Sequence, residues 1–142
     1  MTIPEQVQAR YEAYLKEAEA LEAAAKPWDG LLGFGARPAD HPCHTQFLDA
    51  LVQILREAGG SLTPEEALAV ANLVVEAPRQ HTSPVSIYWT LVAAHGALLP
   101  VIPQLKIADR AELLSRYQAA YPRRTRLPVQ KQVIRALEKT AG

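Results

Sequence analysis

The chain has 142 residues and 15.6 kDa, with 49% hydrophobic and 21% charged residues. That matches one domain and excludes disordered or collagen-like structure. The formal net charge is zero, yet residues 1–80 hold 6 Lys/Arg against 12 Asp/Glu, and residues 106–142 hold 9 against 3.

Alanine (24) and leucine (18) outnumber the 23 Val, Ile and Thr residues, which favours helix over strand. A chain of this length buries roughly 68% of the surface its unfolded form exposes, so its core needs no disulfide and no structural metal. Cys43 is the single cysteine. With no charged-then-apolar leader and no lipidation motif, the expectation is a reduced, cytoplasmic protein.

Thr2, Pro4 and Glu5 predict a capped first helix running to about Lys26. Its apolar positions Val7, Tyr11, Tyr14, Ala18, Leu21 and Ala25 are spaced 4, 3, 4, 3, 4, a narrow seam expected to dock on the domain's own helices, with a self-pairing coiled coil as the alternative. A second helix is predicted from Pro42 to Ala58, with Phe47, Leu48, Leu51, Val52 and Leu55 inward and Gly59-Gly60 as its stop. Thr63, Pro64 and Glu65-Glu66 start a third, which ends before Pro78.

Ser83 and Pro84 start a fourth, ending near Leu99. It lies in the 25-residue run His81–Leu105, which has no Asp, Glu, Lys or Arg. Length alone would allow a membrane span, but two histidines, Gln104 and three prolines favour a buried central helix, with Trp89 and Leu91 covered. Asp109 and Glu112 open a fifth helix carrying Leu113, Leu114, Tyr117 and Tyr121. Pro128 opens a sixth, with Val129, Val133, Ile134 and Leu137 inward. No segment sustains period-2 alternation, so no sheet is expected.

Pro78-Arg79 and Pro84-Val85 recur 44 residues later as Pro122-Arg123 and Pro128-Val129. Stacked helical hairpins would account for the echo, and so would coincidence among 11 prolines. The fold expected is all-α: one compact domain over 1–142, of about six helices in antiparallel hairpins.

The connection at about 27–41 is long for such a fold and apolar, so it must cover something. Trp28 and Phe34 are its expected anchors, and Trp28, Phe34, Asp40, His41, Cys43 and His44 are the candidate binding residues. His41, Cys43 and His44, with His81 and His95, offer zinc-type ligands should they converge. However, no paired Cys-x2-Cys or His-x3-His module accompanies them. Asp40 or His41 is explained as a cap before Pro42, and Cys43 as a small buried hydrophobe. The alternative for Cys43 is a thiol activated by a helix N-terminus. No metal, cofactor or catalytic residue is therefore assigned.

The basic end carries Arg116, Arg123, Arg124, Arg126, Lys131, Arg135 and Lys139. Gln130, Lys131, Gln132 and Arg135 facing outward could address DNA, but no helix-turn-helix turn precedes them. The bland reading is a solvated face lying near Glu12, Lys16, Glu19 and Glu22 of the first helix, in the same or a neighbouring molecule. The function expected is a non-enzymatic protein-interaction or adaptor domain, with a protein partner or self-association. The alternatives are a small metal- or thiol-dependent enzyme using Cys43 and the histidines, and nucleic-acid binding through the basic end.

Overall fold

The computed structural model describes residues 1–31, 35, 37–81 and 85–139. Among these, six α-helices form and no β-strand does: α1 (Ile3–Ala24), α2 (Cys43–Ala58), α3 (Pro64–Glu76), α4 (Val85–Ala93), α5 (Ile107–Ala120) and α6 (Pro128–Glu138). None is long and apolar enough to cross a membrane.

The capping signals behave as their chemistry requires. Thr2 Oγ1 accepts from the Glu5 amide at 3.3 Å, satisfying one donor that α1 leaves open at its start. At α3, Thr63 and Glu66 exchange hydrogen bonds in a reciprocal capping box, both at 3.1 Å. Gly59 stops α2 with a φ of +54°, which a side chain would resist. The fifth helix departs from expectation. It begins at Ile107 behind Lys106, so Asp109 sits within its first turn and favours the helix dipole without capping.

The α1 seam docks within the chain. Val7, Tyr11, Tyr14 and Ala18 are buried, and α1 lies along α2 and also touches α3. The pairs α1/α2 and α5/α6 pack as hairpins. Contact between α3 and α4 runs through their 3-10 extensions, Ala77–Gln80 and Ala94–Leu98. The fourth helix is thus shorter than predicted: α geometry ends at Ala93 and tightens before Leu99. Its predicted start at Ser83 and Pro84 lies outside the described residues.

The proline echo has a local counterpart, since a 3-10 turn follows an α-helix at Ala77–Gln80 and again at Arg123–Thr125. The core is contiguous, with Leu51, Leu55, Val70, Ile87, Leu98, Leu113 and Tyr117 almost fully removed from water.

Trp89 corrects the expectation of a wholly buried uncharged segment. Ile87, Leu91 and Val92 are covered, but Val85 is 69% exposed and Trp89 49%. Residues 85, 89 and 93 form an outward stripe at helical spacing.

Candidate functional site

The four histidines do not converge. His44 spends both ring nitrogens locally: Nδ1 lies 2.7 Å from the Tyr14 hydroxyl and Nε2 lies 2.8 Å from the Pro38 carbonyl. His81 pairs through Nε2 with the Tyr11 hydroxyl. His95, fully buried, places Nδ1 2.9 Å from the Tyr117 hydroxyl. Three histidines are thus held by three tyrosines, and the rings meet edge to face. Burial lowers the His95 pKa to about 4, partly offset by the Val74 carbonyl, so this ring is neutral in the native protein.

His41 behaves differently. Its Nδ1 accepts the Cys43 amide at 3.0 Å and so serves the start of α2, as one of the two capping candidates was expected to do. Asp40 instead turns to Arg37, whose Nε donates to its carboxylate at 2.9 Å on the exposed surface. Such a pair contributes ~0–1 kcal/mol. Cys43 is buried, and burial pushes its thiol pKa up, with the neighbouring Glu17 carboxylate adding to the effect. That is the reverse of the activation a nucleophilic thiol needs. Glu17, His41 and Cys43 present ligand-type atoms within 4.8 Å of one another. The sequence reading missed Glu17, because it comes from α1, far along the chain from the other two.

Trp28 is corrected as well. It was expected to anchor the connection, but it is 56% exposed, with the Lys26 ammonium 5.7 Å above its ring. Phe34, its expected companion, lies outside the described residues.

Beside the connection runs an open groove of about 690 Å³, walled by Glu22, Arg37, Pro38, Ala39, Val85 and Trp89. Ser86 Oγ donates to Glu22 Oε1 at 2.7 Å and joins α4 to the end of α1. Pro38, Ala39, Val85 and Trp89 supply its apolar lining, and Glu22, Arg37, Ser86 and Thr90 its polar lining.

The basic end is also rearranged. Arg116 reaches α3, donating to Asn72 at 2.6 Å and lying 3.7 Å from Glu76. Lys106 pairs with Glu65 at 3.2 Å. The basic end therefore does meet the acidic half, but on α3. Among the described residues no ion pair joins Glu12, Lys16, Glu19 or Glu22 to an arginine of 116–135 within the molecule, because α1 packs mainly on α2. Arg123, Arg124, Lys131 and Arg135 are exposed, and Arg126 Nε donates to the Tyr121 carbonyl at 2.9 Å. Gln130 faces inward, contrary to expectation: it is buried, and its carbonyl accepts the Leu127 amide at 2.8 Å. The outer face of α6 is left with one fewer base-reading side chain.

No protein-family model, curated protein or solved structure matches this chain.

Proposed function

We propose that the protein is a non-enzymatic interaction module, and that its groove between the end of α1, the Pro38–Asp40 turn and α4 receives an apolar helix of a partner protein. One observation carries this reading. Val85 and Trp89 stand one turn apart and open to solvent, on a helix that otherwise buries Ile87, Leu91 and Val92. Exposed bulky apolar groups in register, with a polar edge around them, are the usual anatomy of a docking face. Tryptophan is among the side chains that contribute most when such a face is covered. A helix laying residues at i, i+4 spacing into the groove meets the same spacing on α4.

Photo-crosslinking in the native cell tests this. A photoreactive residue in place of Ser86 should yield a discrete adduct with another protein that disappears when Val85→Ser is added, while the same group at Lys131 yields none. An adduct with a second copy of the chain would identify self-association instead. No discrete adduct at Ser86 would remove the reading.

A further inference from the structure

We propose that Glu17, His41 and Cys43 form a three-ligand site for one zinc-class divalent ion, with the fourth position open to the cleft between α1 and α2. The proposal starts from three elements meeting: α1 supplies a carboxylate, the end of the connection an imidazole, and the first residue of α2 a thiol. Together these are the borderline nitrogen, oxygen and sulfur donors that zinc accepts, whereas calcium and magnesium take oxygen alone.

Zinc bonds of 2.0–2.3 Å in a tetrahedron separate ligand atoms by roughly 3.3–3.8 Å. The present spread of up to 4.8 Å therefore needs an inward movement of about 1 Å. Glu17 is exposed and can supply it by a rotamer change. A cleft lined by Glu17, Cys43, Arg10 and Gln46 adjoins the site, leaving room for a water or an anionic group as fourth ligand.

The other histidines cannot compete for the ion. His44 has both nitrogens engaged, His81 is held by Tyr11, and His95 is enclosed in the core. His41 Nε2 makes no hydrogen bond among the described residues.

Ligation has a defined proton balance. As the sulfur–metal bond forms, the Cys43 thiol gives its proton to water. His41 has a further constraint, because its Nδ1 lone pair holds the Cys43 amide. A metal at Nδ1 takes that lone pair, and a metal at Nε2 obliges the ring proton to move to Nδ1. Either way the hydrogen bond from the Cys43 amide to His41 is lost, so ion binding releases the His41 hold on the start of α2.

The test uses untagged, reduced full-length protein freed of metal with a chelator and titrated with cobalt(II) chloride, then zinc chloride. The expected result is one equivalent of cobalt, a near-ultraviolet thiolate-to-cobalt charge-transfer band, its loss on adding zinc, and a shifted Cys43 amide resonance. Cys43→Ser should abolish the band. Glu17→Gln, a near-isosteric change at an exposed position, should weaken cobalt binding at least tenfold, as should His41→Gln. Absence of the band at saturating cobalt overturns the proposal. So does a band of unchanged affinity in either Glu17→Gln or His41→Gln.

Discussion

His95 Nδ1 and the Tyr117 hydroxyl lie 2.9 Å apart at the centre of the bundle, both residues fully buried. The pair joins the 3-10 extension of α4 to α5. Burial also raises the Tyr117 pKa, so both partners are neutral at ordinary pH. The bond therefore survives in the interior without a buried charge.

Acid should break this arrangement. The folded pKa of His95, about 4, lies below its ordinary 6.5, so the unfolded chain takes up the proton first. The stabilisation is complete above pH 6.5 and is lost as pH falls towards 4, by about 3 kcal/mol in all. Urea unfolding measured from pH 7.5 to 4 should show this slope, and His95→Gln should flatten it. An equal slope in both proteins would place the acid-sensitive group elsewhere.

Trp28 and Leu51 should separate surface from core. Leu51 is fully buried, so Leu51→Ala should cost ~2–5 kcal/mol through lost burial and a residual cavity. Trp28→Ala, at a half-exposed ring, should stay within about 1 kcal/mol of the parent. Thermal melts of the two variants decide the point, and a large loss for Trp28→Ala would mean that the ring holds the connection in place.

Arg110 is a buried arginine whose guanidinium donates to three carbonyls: Lys139 at 2.6 Å, Pro103 at 3.3 Å and Leu105 at 3.4 Å. It ties the end of α6 and the turn before α5 together. Arg110→Met should cost at least ~1.5–3 kcal/mol, because charge-assisted bonds are lost and acceptors are stranded. Faster amide exchange through the last turn of α6 is the local signature to measure.

Thr63→Ala removes the Thr63 half of the α3 capping box and should cost ~0.5–2 kcal/mol, with Thr63→Ser close to neutral. Denaturant midpoints of the two variants check this. Equal losses would show that the hydroxyl bond contributes nothing.

Much of the fold was legible because its signals are local. Thr2 and Thr63 cap, Gly59 stops α2, and Val7, Tyr11, Tyr14 and Ala18 share a seam by spacing alone. Gln130 was readable and was misread. Positions 130, 133, 134 and 137 follow helical periodicity and are all buried, whereas residue type suggested an outward side chain. The fourth helix was harder. With no charged residue to mark its outer face, Val85 and Trp89 could not be told from Ile87 and Leu91.

The candidate sites divide in the same way. Sequence by itself determined the helical class, the caps of α1 and α3 and most of the inward faces, since these depend on residues within one or two turns. It also singled out His41 and Cys43. Only the tertiary structure decided that Glu17 joins them, that each remaining histidine belongs to its own tyrosine, and that Arg116 turns to α3. Those pairings close distances between segments as many as 70 residues apart, as for Tyr11 and His81. No periodicity within a helix encodes them, because they are set by which faces pack when the whole core is buried together.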